Sequence, residues 1–408
     1  MMPRRLLLTI ALATGLAAPG LAQLAVPALP VPRLPAVAAP VDGLLASLDE
    51  TVRARAAELL QLRGRTLDRL LRANRDTIER DRFGELARRG ELLVLDVVDA
   101  ALAPALNNGF IMIAREPIEG LDLTVVRLAV PAGQSLAKAQ ARLEELLPGA
   151  TVSADNLHWE AGRGSSGSVG AARPAAVPAI ATPVGVIDGG TGSGASAQRG
   201  YAKGAPRASD HGSAVVSLLS GAGVRSIRVA DVFGADPAGG NALAITRALG
   251  WLAQGGAKVV TISLVGPSNP VLARAIASAQ KRGVVVVAAV GNDGPAAPPA
   301  YPASYAGVLA VTGVDRRDRP LIEAGRALHL DYAAPGAELL AANAAGARVK
   351  VRGTSFAAPL VAARVAATLD AGGSWQSRLD GEARDLGPRG PDKLYGRGLL
   401  CGTCRPAS

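Results

Sequence analysis

The second half of the chain alternates short apolar runs with segments in which apolar residues recur at helical spacing. The apolar runs are VGVID (184–188), IRVADVF (227–233), KVVTISLV (258–265), VVVVAAV (284–290) and GVLAVTGV (307–314). Continuous apolar strands of this length are typical of a parallel sheet that is buried on both faces. The pattern therefore predicts a three-layer α/β domain over residues 184–400.

A smaller α/β pattern precedes this domain. Four predicted strands (91–97, 110–116, 121–130, 150–154) alternate with two predicted helices (99–108, 135–147). The order βαββαβ predicts a small ferredoxin-like domain over residues 91–160. The stretch 44–90 before it carries leucines at helical spacing among charges, which predicts a helical segment.

The first residues have the parts of an export signal. Arg4 and Arg5 precede an apolar stretch that is too short to span a bilayer well, and small residues around Ala22 offer a cleavage site. We expect residues 1–22 to be a signal peptide and the product to be secreted or periplasmic. An uncleaved anchor is the alternative. No later segment predicts a membrane span.

Composition marks two linkers and a tail. Residues 23–43 are rich in proline, and residues 161–183 are rich in Gly, Ser, Ala and Pro, so both are predicted to be exposed linkers. The only cysteines, Cys401 and Cys404, lie in the tail 401–408. A local disulfide suits an exported chain, while redox chemistry or half a metal site would be the alternatives.

The chain is basic, with a formal net charge of +10 over 408 residues. Much of this charge is arginine over residues 53–89, where it is interleaved with Glu and Asp. There is no aromatic-flanked basic motif and no zinc-ligand spacing, so we interpret this stretch as a solvated helix face and expect no nucleic-acid partner. Aromatic residues make up only 3%, which predicts a core of Ala, Val and Leu.

Four polar residues lie next to the predicted strands and helices of the larger domain. Asp188 ends VGVID, His211 opens a helical pattern, Asn292 follows VVVVAAV, and Ser355 lies in GTSFAAP. Sites in parallel sheets form at the C-terminal ends of strands. Acyl transfer needs a hydroxyl, an imidazole, a carboxylate and donors for the oxyanion, and these four residues supply those roles. The order Asp-His-Ser, without G-x-S-x-G around the serine, argues against an α/β-hydrolase.

Ser355 alone allows two interpretations. Thr354 and Ser355 precede a helical run, so they are candidate helix caps. The free N–H groups and dipole of the same helix end could instead stabilise an oxyanion beside a nucleophilic Ser355. We expect the helix N-terminus to serve both purposes. Of the other two histidines, His158 lies in the smaller domain and His329 alternates with leucines, so His211 is the candidate base.

Residues 184–400 resemble the subtilisin-type serine proteases, the subtilases. The resemblance rests on VIDGG, HGSAVVSLLSG, ISLVGPSNP, VVVVAAVGNDGP, YPASYAGVLAVTGVD, DYAAPG and GTSFAAPLVA, which occur in the family's order. It implies that Asp188, His211 and Ser355 form the catalytic triad and that Asn292 donates to the oxyanion. It also implies that the strand Ser263–Gly266 (Ser263, Leu264, Val265, Gly266) binds the substrate backbone and borders the primary specificity pocket.

Two departures from the family pattern bear on the site. Gly189 stands where the family usually has Ser or Thr, so a hydroxyl contact to Asp188 is missing. Val265 stands where many members have Gly, so we expect a narrower pocket. The segment between Asp188 and His211 holds few carboxylates, and we assign no metal and no cofactor.

The resemblance implies an exported serine endopeptidase, acting as a monomer on proteins or peptides and made as a self-processing precursor. The βαββαβ domain resembles the family's inhibitory propeptide in strand order. We expect residues 155–165 to lie extended across the active site and to pair with the ISLVG strand. A catalytically inactive binding module, or a protease with a permanent N-terminal interaction domain, are the alternatives.

Overall fold

The computed structural model of the protein describes residues 50–161, 163–168 and 177–404. The predicted signal peptide and Pro-rich linker lie outside the described residues, as do parts of the second linker and of the tail. No helix in the described part of the chain is long and apolar enough to cross a membrane.

The first helix is shorter than the sequence predicts. Helix α1 spans Glu50–Ala73, whereas the predicted helical segment ran to residue 90. Strand β1 (Ile78–Arg80) follows and forms a hairpin with the next strand. The hairpin turn explains the difference, because Asp81 Oδ1 accepts backbone N–H groups at 83 and 85 and Gly84 has φ 83°. The leucines at helical spacing between residues 59 and 71 lie within α1, and the turn residues after them start a hairpin instead of continuing the helix.

The predicted βαββαβ order is confirmed. Its elements are β2 (Leu86–Leu95), a 3₁₀ turn (Asp99–Leu102), α2 (Ala103–Asn107), β3 (Ile111–Pro117), β4 (Thr124–Ala129), α3 (Leu136–Leu146) and β5 (Thr151–Asn156). The antiparallel sheet has the order β1-β2-β4-β3, with β5 also paired to β2. Alternate residues of β2 face opposite sides: Leu92 and Val94 pack with α3, whereas Leu93 and Leu95 pack with the larger domain.

The larger domain is the predicted three-layer α/β fold. Its elements, with the two short strands before it, are β6 (Trp159–Glu160), β7 (Arg163–Ser168), β8 (Val184–Asp188), β9 (Ala197–Gly200), α4 (Asp210–Gly221), β10 (Ile227–Asp231), α5 (Ala242–Gln254), β11 (Val259–Ile262), β12 (Leu264–Val265), α6 (Pro270–Lys281), β13 (Val285–Ala289), β14 (Leu309–Val314), β15 (Tyr332–Pro335), β16 (Leu339–Ala342), β17 (Arg348–Arg352), α7 (Thr354–Asp370) and α8 (Trp375–Glu382).

Seven strands form a parallel sheet in the order β15-β14-β13-β11-β8-β10-β9. Every residue of β8 is buried, as expected when helices cover both faces. Val186 belongs to the apolar cluster that contains α4 and α7, and its neighbour Ile187 belongs to the cluster that contains α5 and α6. The parallel pairing brings the carboxyl ends of these strands to the same edge of the sheet, and that is where the site lies.

The predicted linker 161–183 is partly ordered. Residues Arg163–Ser168 form β7, which pairs antiparallel with β17. The prediction of an exposed linker is therefore wrong for these residues, because their backbone groups find partners on the free edge of β17. Residues 162 and 169–176 lie outside the described part.

The two cysteines lie side by side at the C-terminal end. The Cα atoms of Cys401 and Cys404 are 5.0 Å apart and their sulfur atoms lie at bonding distance. Both residues pack against the cluster around α4 and α7.

Candidate active site

The first pair of site residues joins a strand end to a helix start. Asp188 is the last residue of β8, and His211 is the second residue of α4. His211 Nδ1 lies 2.9 Å and 3.0 Å from the two carboxylate oxygens of Asp188, which is itself fully buried. A carboxylate can only accept there, so Nδ1 carries the hydrogen and Nε2 is left as the basic atom.

The charge of His211 follows from this contact. Burial alone would lower the pKa of His211, but the charge and hydrogen bond of Asp188, together with the charge of Glu160, raise that pKa to about 9. Nε2 is buried and has no hydrogen-bond partner among the described residues. Asp188 thus orients the imidazole through Nδ1, while the other ring nitrogen is buried and unpaired among the described residues.

Ser355 is the second residue of α7 and is fully buried. Its Oγ has no hydrogen-bond partner in the described structure. The predicted local capping by Thr354 and Ser355 is wrong, since the cap residue is Gly353 with φ 141° and no side-chain cap bond forms. The Thr354 hydroxyl instead bonds the backbone of Gly291, donating to its oxygen and accepting from its nitrogen at 3.1 Å.

The free end of α7 faces a backbone carbonyl of the chain itself. The backbone N–H of Ser355 donates to the oxygen of Ala161 at 3.3 Å, and Asn292 Nδ2 donates to the same oxygen. Asn292 follows β13, and its Oδ1 accepts from the backbone N–H of Thr354 at 3.0 Å, which holds the amide in place. Two donors therefore converge on one carbonyl oxygen beside Ser355, which is the geometry of an oxyanion site.

Residues 157–161, called the cleft strand below, lie in the cleft as an added strand. Trp159 and Glu160 (β6) pair antiparallel with Val265 and Leu264 (β12). The backbone N–H of Ala161 donates to Ser263 O at 3.0 Å. This arrangement resembles the recognition of an extended peptide by strand addition.

Gly266 allows the cleft strand to approach closely. A Cβ at this position would lie 2.5 Å from His158 Cδ2, which is too close for a side chain. The backbone N–H of His158 donates to Gly240 O at 2.8 Å on the opposite side. His158 is therefore a buried part of the cleft strand. The sequence analysis assigned His158 to the smaller domain and did not predict this position.

Val265 borders a small pocket that Trp159 also lines. The cavity has a volume of about 40 Å³, and its walls include Val265, Gly266, Val290, Gly291 and Ala300. Val265 is 4% exposed and its Cγ1 would lie 3.2 Å from a Cβ at Gly291. The branched side chain thus occupies space at the pocket wall.

Helix α1 covers the rim of this pocket, which the sequence did not indicate. Arg63 Nε lies 3.2 Å from Asp293 Oδ2, and the Arg63 guanidinium lies 5.5 Å from the centre of the Trp159 ring. A charged helix face was expected to be solvated. The acidic residue directly after Asn292, Asp293, is the one sequence feature that could have suggested a basic partner.

The limited space beside Asp188 explains why residue 189 is a glycine. A Cβ on Gly189 would lie 2.3 Å from Ser209 Oγ, so the family's usual hydroxyl residue does not fit here. Instead the backbone N–H of Gly189 donates to Asp188 Oδ1 at 2.7 Å.

One group in the described part of the chain has three potential metal ligands close together: Glu160, Asp188 and His211. Two of these three belong to the hydrogen-bonded pair above. We therefore assign no metal to them.

Comparison with known proteins agrees with this geometry. A family model described as the subtilase family matches residues 193–396, which include His211, Asn292 and Ser355 and begin after Asp188. Subtilisin BL of Lederbergia lenta is 33% identical over 191 residues, covering 45% of this chain and 69% of the relative. Subtilisin DY of Bacillus licheniformis is 30% identical over 209 residues, covering 49% and 74%.

The fold is also that of a solved subtilisin relative. Fervidolysin from Fervidobacterium pennivorans, a keratinolytic enzyme related to subtilisin, superposes with a TM-score of 0.63 at 18% identity. The match covers 79% of this chain and 61% of fervidolysin. The chain belongs to the subtilase family and is a serine-type endopeptidase.

Proposed function

We propose that this chain is the precursor of an exported serine endopeptidase that cuts its own backbone between Ala161 and Gly162. Asp188, His211 and Ser355 are the catalytic triad in this proposal, and Asn292 is the side-chain oxyanion donor. The observation that carries it is the Ala161 carbonyl oxygen, which accepts from both Ser355 N and Asn292 Nδ2. A carbonyl held there is a substrate carbonyl in its reactive position.

The proposed reaction begins with the buried hydroxyl. Ser355 Oγ bonds to the carbonyl carbon of Ala161 while its proton moves to His211 Nε2, and the negative charge that develops on the Ala161 oxygen faces the two donors. The bond from this carbon to the Gly162 nitrogen then breaks, and that nitrogen takes the proton from His211. Water repeats the sequence to release Ala161 as a carboxylate from Ser355.

The same contacts make the N-terminal part an inhibitor of the enzyme that produces it. Residues 157–161 fill the cleft through backbone bonds that an incoming protein or peptide substrate would need. We propose that the βαββαβ domain stays bound after cleavage, and that residues 1–22 direct export to a periplasm or medium. The protease then acts as a monomer on protein or peptide substrates, with no cofactor.

N-terminal sequencing and intact mass of the exported protein test the proposal. The wild type should begin at Gly162, whereas Ser355→Ala should remain uncut and begin near Gln23, because losing the nucleophile removes the acyl transfer. Cleavage of Ser355→Ala at the same bond, in a host without other active proteases, would contradict self-processing. An uncut wild type that is still active would show that the N-terminal region is a permanent domain.

A fluorophosphonate probe separates a protease from an inactive binding module. It should label the wild type at Ser355, and fail to label Ser355→Ala or His211→Ala, because both the hydroxyl and its base are needed. A folded wild type that stays unlabelled after removal of the N-terminal part would favour the binding module.

A further inference from the structure

Glu160, the residue before Ala161, places a second carboxylate beside the catalytic imidazole. One oxygen of Glu160, one oxygen of Asp188 and a ring nitrogen of His211 all lie within 4.8 Å of one another. The Glu160 carboxylate is directed toward the turn after Asp188, since its Oε1 would lie 3.8 Å from a Cβ on Gly189. Pairing with Leu264 fixes the backbone of Glu160, so this approach is built into the cleft strand.

The groups that face this carboxylate come from three elements. They are His211 and Asp210 on α4, Asp188 at the end of β8, and Asp231 at the end of β10. Burial of the carboxylate raises the pKa of Glu160, the charge of His211 lowers it, and the three aspartates raise it further. Glu160 as a residue is solvent-exposed, so water screens part of its effect on the imidazole.

His211 is faced by two carboxylates and by one aromatic ring. Asp188 makes its hydrogen bond, Glu160 lies nearby, and the centre of the Phe356 ring is 5.1 Å from that of the imidazole. Two negative charges favour the imidazolium, yet the proposed reaction needs neutral Nε2 to accept the Ser355 proton. The carboxylate of Glu160 is present only while the cleft strand is in place.

We propose that Glu160 is a positioning residue that slows self-cleavage at neutral pH, by holding His211 in its protonated form from within the strand that is to be cut. This inference rests on the proposed self-cleavage after Ala161. The rate of self-cleavage in the precursor therefore depends on pH, because cleavage accelerates as rising pH removes the proton from His211. Any substrate with an acidic residue at the same position, the second residue before the cleaved bond, should be cleaved more slowly at neutral pH for the same reason.

The test is the pH profile of self-cleavage in the full chain. Wild type, Glu160→Gln, Glu160→Asp and the exposed control Glu145→Gln are diluted from denaturant at pH 6 to 10, and loss of the uncut chain is followed by mass. Glu160→Gln should lower the apparent pKa of the rate by roughly 0.5–1 unit, as expected for a screened charge at this distance, and speed cleavage at pH 7 roughly 3- to 10-fold. Glu160→Asp keeps the charge and should stay closer to wild type, and Glu145→Gln should match it.

A second measurement does not depend on folding of the variants. Mature enzyme is given two peptides that differ only by Glu or Gln before the last residue ahead of the cleaved bond. The Glu peptide should show the higher apparent pKa in kcat/KM. Identical pH profiles for wild type and Glu160→Gln, or for the two peptides, would overturn the inference.

The experiments distinguish a failure of the proposed self-cleavage from a failure of the proposed role of Glu160. If Ser355→Ala chains are cut as fast as wild type, self-cleavage is wrong. If Ser355→Ala blocks cutting and the Glu160→Gln profile is unchanged, only the role of Glu160 is wrong.

Discussion

Two of the contacts between the N-terminal part and the catalytic region differ in their chemistry. In the cleft, residues 157–161 are held by backbone hydrogen bonds, and Ala161 is 2% exposed. On the other side, the antiparallel sheet lies on α5 and α6, where Leu93, Leu95 and Ile118 join the apolar cluster of those helices. The first contact fixes one carbonyl, whereas the second supports a whole sheet.

The second contact has a charged rim. The ion pairs across it are Arg88–Asp236 (2.7 Å), Arg247–Glu116 (2.5 Å), Arg199–Glu119 (3.0 Å) and Arg274–Asp96 (2.9 Å). A cavity of about 600 Å³ lies among many of these side chains. In the last two pairs the side chains are 44–50% exposed.

Exposed ion pairs contribute about 0–1 kcal/mol each and weaken with salt. The cleft contact, by contrast, positions the carbonyl that we propose is cleaved, and small displacements there would be costly in rate. Changes in the cleft should therefore alter rates by orders of magnitude, and changes at the sheet contact should alter stability modestly. Such a division suits the proposed inhibitory role of the N-terminal part, which would need accurate placement before cleavage and removal after it.

Among the changes in the cleft, Asn292→Ala is expected to have the largest effect on rate. The variant keeps Ser355 and His211 but loses the Nδ2 donor, so kcat on a peptide should fall roughly 10²–10³-fold. That magnitude is the one known for the side-chain donor of subtilisin, a member of the same family, and is carried over from it. Mature enzyme and a chromogenic peptide suffice for the measurement.

The melting temperature is the control for Asn292→Ala. Loss of the bond from Thr354 N should cost only about 1 kcal/mol. A kcat within tenfold of wild type would show that Asn292 does not face the developing charge. A large fall in melting temperature would place the residue's main role in folding instead.

Val265→Gly tests the pocket wall, with a smaller expected effect. Removing the branched side chain enlarges the roughly 40 Å³ pocket that Val265 borders. The family resemblance assigns this wall to the pocket for the residue before the cleaved bond, so peptides with a larger residue there should gain. A gain of roughly tenfold in kcat/KM for Leu over Ala is expected from the change in volume. A peptide library that gives the same preference for both proteins would assign Val265 to packing alone.

The sequence predicts the larger fold well and the contacts between the two domains poorly, and it places the four candidate site residues at strand and helix ends. Apolar runs such as VVVVAAV identify buried parallel strands, and strand ends locate Asp188 and Asn292, because both features follow from local pattern. The contact between Arg63 and Asp293 joins residues 230 positions apart, and no local pattern encodes it. The same holds for strand β7, whose composition favours a linker until β17 offers it partners.

A last prediction compares the two contacts directly through one titratable group in each. His158 belongs to the cleft strand, and its burial lowers the pKa of the imidazole to about 4. Asp155 belongs to the sheet contact and accepts from the Leu243 N–H at the start of α5; its burial raises the pKa of the carboxyl to about 7. Both shifts come mainly from the loss of water around a group that is about 1% exposed.

The pKa shifts of Asp155 and His158 have opposite signs, so their contributions to stability change with pH in opposite directions. The folded pKa of Asp155 lies above its unfolded value of 3.8, so its stabilising effect is complete below that value and is lost as pH rises toward about 7. The folded pKa of His158 lies below its unfolded value of 6.5, so its effect is complete above that value and is lost as pH falls toward about 4. Between about pH 4 and 6.5 the two slopes oppose each other and should nearly cancel.

Melting temperatures of uncut Ser355→Ala chains from pH 4 to 8 check this balance. Compared with that parent at the same pH, adding Asp155→Asn should become relatively more stabilising as pH rises through the window. Adding His158→Gln should become relatively more stabilising as pH falls, while the exposed control Asp76→Asn should stay parallel to the parent. The expected changes are on the order of ten degrees across the window, because about 2.5 pH units of single-proton slope amount to about 3 kcal/mol, at roughly 2–4 °C per kcal/mol for domains of 150–250 residues. Parallel curves for Asp155→Asn and the parent would mean that water reaches the carboxyl through the adjoining cavity, and the sheet contact would then be wetter than the cleft.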